Sequence, residues 1–86
     1  MIAALGDEER QVRKAAVDAL MQFEAKEIEA ALLQALGNAN WRIRYYSAEI
    51  LGNLQTKEAK PLLVKLANND PHPGVRRTAR RALENF

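Results

Sequence analysis

The chain of 86 residues has no cysteine, one histidine, three prolines and four glycines, and its aromatics are one tryptophan, two tyrosines and two phenylalanines. Without thiols neither a disulfide framework nor a thiolate metal site can form, and a reducing, cytoplasmic location is the expectation. His72 is alone, so no second imidazole is on hand for a metal or a catalytic relay. Gly6, Gly37, Gly52 and Gly74 stand singly, which excludes a glycine-rich phosphate loop. No run approaches the roughly 18 apolar residues of a membrane-spanning helix, and the Met1 segment lacks the basic start and long apolar run of a signal peptide. The 13 Lys and Arg against 11 Asp and Glu leave a net charge of +2, too little by itself to indicate nucleic acid.

What is present is Ala, Leu, Glu, Arg and Lys, with a hydrophobic fraction of 48 %. That composition favours helix nearly everywhere. Three segments superimpose: VRKAAVDAL from Val12, IRYYSAEIL from Ile43 and VRRTARRAL from Val75, with starts 31 and 32 residues apart. Val12, Ala16, Ala19, Leu20 and Phe23 fall at offsets 0, 4, 7, 8 and 11 of the first segment. The second gives Ile43, Ser47, Ile50, Leu51 and Leu54, and the third Val75, Ala79, Ala82, Leu83 and Phe86. Those offsets put every member on one stripe of a helix of period 3.6, and the small residue at offset 4 admits a close neighbour.

Between these A helices lie B helices with stripes of Ile28, Ala31, Leu32, Ala35 and Leu36, and of Ala59, Leu62, Leu63 and Leu66. The connectors around Glu24–Lys26 and Gln55–Lys57 are short enough to force antiparallel hairpins. Thr56 suits an N-cap, and Pro61 requires a place in the first turn of its helix. Asp7, Asn38 and Asp70 each stand five residues before the Val or Ile that opens an A stripe, where they can accept backbone N–H groups. The third turn, Ala67–Gly74, is two residues longer than the others and reads as a rigid loop. A period of this length in helical hairpins is the mark of a solenoid.

The pattern L-G-D/N followed by V-R-x-A-A-x-A-L resembles HEAT-like repeats of the phycobilisome-lyase type, over essentially the whole chain. The resemblance implies an all-α, right-handed α-solenoid of antiparallel hairpins, about five helices plus an N-terminal helical stub. It forms one domain over residues 1–86: a partial repeat 1–6, repeats 7–36 and 37–67, and a half repeat 68–86. It also implies that the Arg after each Val, here Arg13, Arg44 and Arg76, pairs with an acidic turn residue. The matching turn positions are Asp7, Asn38 and Asp70, so uncharged Asn38 interrupts the ladder. In such repeats an aromatic at the place of Trp41 packs across the turn onto the preceding repeat, and the B helices line the concave side. One HEAT-like enzyme class, the deoxyhypusine hydroxylases, holds metal with repeated His-Glu pairs. None occurs here.

Three clusters stand out as contact surfaces. Trp41-Arg42-Ile43-Arg44-Tyr45-Tyr46 gathers three of the aromatics, and Trp, Tyr and Arg desolvate large area around a polar handle. Tyr45 aligns with Lys14 and Arg77, which suggests an exposed site, and its ring or Trp41 could also stack a base. Arg77, Arg80 and Arg81 form the basic face of the last helix, which invites an acidic partner or phosphate, or is simply solvated. Asp18, Tyr45 and Glu49 break any continuous basic row towards Lys14, which argues against nucleic acid. On the B helices the acidic Glu27 and Glu29 contrast with the basic Lys60 and Lys65, which either orients a partner or is ordinary charge mixing.

The expectation is therefore a non-catalytic protein–protein interaction scaffold with no metal, no cofactor and no membrane span. Kinship with a bilin lyase subunit is the alternative that the resemblance implies, and nucleic-acid binding through the arginine-rich last helix is a second alternative. Both ends read as cut repeats. Leu83 and Phe86 are expected to leave an apolar edge open to self-association.

Overall fold

Helix is the outcome wherever the stripe of period 3.6 recurs. The computed structural model describes residues 2–86; Met1, which the sequence assigns to the N-terminal stub, lies outside the described residues. A 3-10 helix, Ile2–Gly6, is followed by α1 (Arg10–Leu20), α2 (Ala25–Ala35), α3 (Trp41–Leu54), a 3-10 turn (Lys57–Ala59), α4 (Lys60–Asn69) and α5 (Pro73–Leu83). The chain is all-helical, with no strand among the described residues. The N-terminal stub is a 3-10 helix rather than the tail of an α-helix, and it is anchored by the fully buried Leu5.

The helix ends follow local chemistry. At the start of α2, Glu27 reaches back to accept the backbone N–H of Glu24 at 3.1 Å, one half of a capping box. α3 stops at Gln55, which takes the left-handed conformation (φ 55°) while the Thr56 N–H donates to the Leu51 carbonyl at 3.2 Å. The Gln55 amide donates to the Asn85 carbonyl at 2.9 Å and so ties this strained corner to the chain just after α5. Thr56 is buried, but its hydroxyl donates to Glu29 Oε2 at 2.6 Å instead of capping a helix. Pro61 lies in the first turn of α4, as its missing N–H requires.

The third turn is shorter than its sequence suggests. α4 continues through Asn69 and α5 opens on Pro73, so only Asp70, Pro71 and His72 remain outside helix. Proline is pre-organised for a first helical position, which absorbs two residues expected in the loop.

The core runs through Leu20, Leu32, Ile50, Leu51, Leu63 and Ala79, each at most 2 % exposed. α3 and α5 share the most extensive close backbone approach in the fold, α4 lies on α5 and α2 on α3, whereas α1 leans chiefly on the N-terminal 3-10 helix. Gly52 makes the α3–α5 approach possible: a Cβ there would stand 2.6 Å from Ala82 Cβ and 2.9 Å from its Cα. The offset-4 residues Ala16, Ser47 and Ala79 are all buried, while Ser47 Oγ has no hydrogen-bond partner.

Several residues of the expected stripes lie outside the core. Ala31 and Leu62, at matching positions of α2 and α4, are exposed, because each B helix is covered along a narrow strip only. Phe23 and Phe86 fall beyond the ends of α1 and α5 and are 43 % and 38 % exposed. Of the open apolar edge expected from Leu83 and Phe86, Phe86 is exposed and Leu83 is half-buried. The exposed residues of α5 and its C-cap are Pro73, Arg77, Arg80, Arg81 and Glu84. Where α3 carries the buried Ala48 and Gly52, α5 carries Arg80 and Glu84.

Candidate functional site

Three turns of one design form a rim of the molecule. Asp7 Oδ1 accepts the Glu9 N–H at 2.8 Å, Asn38 Oδ1 that of Asn40 at 2.8 Å, and Asp70 Oδ1 that of His72 at 2.9 Å. Each is an Asx turn, which a short side-chain oxygen closes two residues on. The helix N-caps therefore sit two residues later than the sequence suggests. Asn40 Oδ1 accepts the Arg42 N–H at 2.9 Å and His72 Nδ1 accepts that of Gly74 at 3.0 Å, whereas Glu9 makes no such bond.

One arginine fastens each turn from inside the helix that follows. Arg13 Nη1 donates to the carbonyls of Asp7 and Glu8 at 2.7 and 2.8 Å, and Arg44 Nη1 to those of Asn38 and Ala39 at 2.8 and 3.0 Å. Arg76 Nη1 donates to the Asp70 carbonyl at 2.6 Å. Arg44 also reaches forward to the next turn, where Nε and Nη2 meet Asp70 Oδ2 and Oδ1 at 2.8 and 3.1 Å. This bidentate pair is the only ion pair among the described residues, with side chains 12 % and 2 % exposed. In the preceding repeat the partner position is Asn38, which offers no charge, and Arg13 Nε donates instead to the Tyr46 hydroxyl at 3.4 Å.

Burial alone would raise the Asp70 pKa. The Arg44 hydrogen bond, the His72 N–H and the nearby positive charge outweigh it and hold the carboxyl below its ordinary value of 3.8.

Trp41 packs forward, not onto the preceding repeat. Its ring lies flat on His72, with centroids 3.9 Å apart and planes 8° apart, and so rivets the third turn to the start of α3. The solitary histidine is thus an N-cap and a stacking partner. Arg42 Cζ is 4.9 Å from the Trp41 ring centroid. Tyr45 meets Trp41 edge to face at 6.2 Å and Tyr46 at 5.0 Å, which leaves it half-buried rather than fully exposed. With one face of Trp41 covered by His72, that ring is a poor platform for a base. Arg77, Arg80 and Arg81 are exposed on α5, as are Lys60 and Lys65 on α4.

The concave feature on this rim is a groove of about 540 Å³ between the C-terminal end of α2 and the length of α4. Leu33, Leu36, Leu62 and Leu66 supply apolar walls, Gln34, Asn38 and Asn69 supply amides, and the Arg44–Asp70 pair forms part of the lining. Lys65 is its one lining charge outside that pair. Of the polar B-helix positions expected on the concave side, the groove gathers Gln34 and Lys65; Arg44, Asn38 and Asp70, expected as structural, line it too. Leu36, Leu62 and Leu66 were legible only as core, and Leu33 belonged to no stripe. The signal that separates them is the offset of Leu62 from the buried Leu63 and Ala67 of α4. A second hollow, about 500 Å³, is lined by Gln55, Lys57, Lys60, Asn85 and Phe86. Among the described residues no group of three or more His, Asp or Glu could hold a metal ion, and no helix is long and apolar enough to cross a membrane.

Neither the curated proteins nor the solved structures compared with this sequence include a match. The helical hairpins, the repeated Asx turns and the arginines that fasten them fit one likeness that the sequence does show. Residues 1–84 match the family of HEAT repeats, to which this chain belongs.

Proposed function

We propose that the chain is a non-catalytic recognition scaffold, its hairpins stacked as a right-handed superhelix, with the leucine-lined groove beneath the turns as the place where a partner protein docks. HEAT repeats commonly mediate protein–protein interaction. The observation that carries the reading is the groove itself. It is open, mostly apolar and edged by amides, and Leu62 at its wall is left 40 % exposed. Apolar surface of that kind, rimmed by polar residues, marks sites of association. The two turns that line it are rigid, since Arg44, Arg76 and the Trp41–His72 stack hold their backbone. A preorganised surface loses little entropy when it binds. A photo-crosslinking residue placed at position 62 should give discrete protein adducts in an extract of the source cells. The same residue at exposed Gln11 on α1 serves as the control. Equal yields at both positions, or none at position 62, would refute docking in the groove.

Two other readings have separate tests. Exposed and unpaired Arg77, Arg80 and Arg81 are the observation that favours nucleic acid. That reading requires affinity to fall steeply with salt, and a flat response excludes it. Kinship with bilin lyase subunits rests on the repeat motif alone. It requires the absorbance of a bilin to shift when the protein is added.

A further inference from the structure

The groove can be read for the chemistry of its occupant. Its walls are the C-terminal end of α2 with its C-cap, which contribute Leu33 and Leu36, and α4, which contributes Leu62 and Leu66. Leucines on two neighbouring helices leave a furrow that an apolar helical ridge can enter, the geometry by which amphipathic helices dock in grooves. The charge of the lining is lopsided. Arg44 and Asp70 neutralise each other at 2.8 Å, and the remaining charged side chain, Lys65, is exposed and takes part in no ion pair. α4 carries Lys60 and Lys65 and no acid, while the α2 wall, Leu33 to Gly37, carries no charge. The α4 edge is therefore positive, the α2 edge is neutral, and the floor is apolar.

From this, and resting on the recognition reading above, we propose that the groove takes an amphipathic helix of a partner protein that sets aliphatic side chains against Leu33, Leu36, Leu62 and Leu66 and a carboxylate opposite Lys65. The amides of Gln34, Asn38 and Asn69 form the polar rim. The side-chain amides of Gln34 and Asn69 make no hydrogen bond to other residues described, and Asn38 Oδ1 is already engaged by the Asn40 N–H, which leaves its NH₂ group to donate. The carboxylate sets orientation and specificity, and the leucines carry most of the affinity.

The probe is a set of synthetic helical peptides with one leucine face, whose flanking positions carry Glu, Gln or Lys, together with a scrambled Glu peptide that has no amphipathic period. Binding is read by fluorescence anisotropy against the whole chain. The Glu peptide should bind about fivefold tighter than the Gln peptide, as an exposed charge pair allows, and the preference should shrink in high salt. Lys65→Glu should invert the order of the Glu and Lys peptides, and Leu62→Gln should weaken all three about tenfold. Both positions are exposed, so both variants should keep the parent's helical circular dichroism. Equal binding of the three peptides, tighter binding of the Lys peptide, no binding of any, or a scrambled peptide as good as the Glu one would overturn the proposal. Crosslinks from position 62 together with any of those results would leave the docking surface standing and remove only the acidic helix.

Discussion

Gly52→Ala tests how closely α3 and α5 are nested. By helix propensity alone the change should stabilise α3 by about 1 kcal/mol, because glycine in a helix interior gives up the most backbone freedom. Geometry opposes it. The new methyl would stand 2.6 Å from Ala82 Cβ, 2.9 Å from its Cα and 3.3 Å from its carbonyl oxygen. Carbon atoms rest at about 3.5–4.0 Å, so the two helices must part by roughly 1 Å. Neither obstacle is a flexible side-chain end, and the neighbouring Ala48, Val75 and Ala79 are fully buried, so the parting spreads along the interface. Overpacking of this kind costs about 1–3 kcal/mol, and the rigid backbone places this case at or above the upper part of that range. A net loss of about 2 kcal/mol lowers the melting temperature of a domain this size by roughly 8–16 °C. Thermal unfolding followed by circular dichroism at the helix band measures it. Ala82→Gly in the same chain removes the nearest obstacle, the Cβ, but leaves the Cα at 2.9 Å, so it should recover part of the loss and show a measurable double-mutant coupling. Gly37→Ala is the contrast. Its Cβ would meet only the Gln34 carbonyl at 3.7 Å, and its φ is not positive, so it should be neutral or gain about 0.4–1 kcal/mol. A Gly52→Ala protein that melts at or above the parent temperature would refute the close nesting of α3 on α5.

Asp70→Asn keeps the Asx-turn acceptor and loses the charge facing Arg44, for an expected loss of about 1–3 kcal/mol, while Asp70→Ala loses the turn as well and should fall by about 3–5 kcal/mol. Because the folded carboxyl titrates below 3.8, its contribution is fully present above that pH and disappears as the pH falls through the lowered value. The stability gap between parent and Asp70→Asn should accordingly close in acid; a gap that stays constant from pH 6 to pH 2.5 would contradict it. Ser47→Ala removes a buried hydroxyl with no partner and should be neutral or gain about 1 kcal/mol by urea denaturation, and a clear loss would mean the hydroxyl is bonded. Asn38→Asp gives Arg13 the carboxylate that Arg44 already has, but on an exposed turn, so the gain is at most about 1 kcal/mol and should vanish in 1 M salt. A gain that salt does not touch would point to some other cause.

The repeated elements were readable from sequence because one local rule generates all of them. Val12, Ile43 and Val75 open stripes of period 3.6, and the structure has a helix over each. Asp7, Asn38 and Asp70 close the same Asx turn because the motif needs only a short side-chain oxygen, which is why an asparagine among them goes unnoticed by the backbone. What escaped was whatever depends on a second segment. Trp41 and His72 are 31 residues apart, and nothing in either neighbourhood says that the ring turns forward to stack. Ala31 and Leu62 satisfy the periodicity of a buried stripe, yet exposure depends on how many neighbours a helix has, and α2 and α4 are covered along one strip. The groove has the same origin. It is empty space between helices, so no residue announces it, and only the displacement of Leu62 from the Leu63–Ala67 line hints that α4 has a second apolar direction. The outer face of α5 could be read in principle, since Arg80 and Glu84 stand where α3 has Ala48 and Gly52, but only once those small residues are known to receive a helix.

The unequal fastening of the turns divides the molecule mechanically. Between the second and third turns Arg44 grips Asp70 with two charged hydrogen bonds, and α5 is seated on α3 through Gly52. Between the first and second turns the links are long and end on neutral acceptors, Arg13 Nε to the Tyr46 hydroxyl at 3.4 Å and Asn40 Nδ2 to the Gly6 carbonyl at 3.3 Å, and α1 has little close backbone contact with α3. In a linear array the coupling between neighbours decides whether units melt together or one at a time. Here one joint is stiff and the other compliant. The denser packing of α3, α4 and α5 favours their melting together, and the sparser contacts of α1 favour its opening first, which hydrogen exchange would show as weaker protection of α1 than of α3. A partner seated between α2 and α4 spans the stiff joint from its compliant side, so its binding would draw the looser unit into the cooperative block.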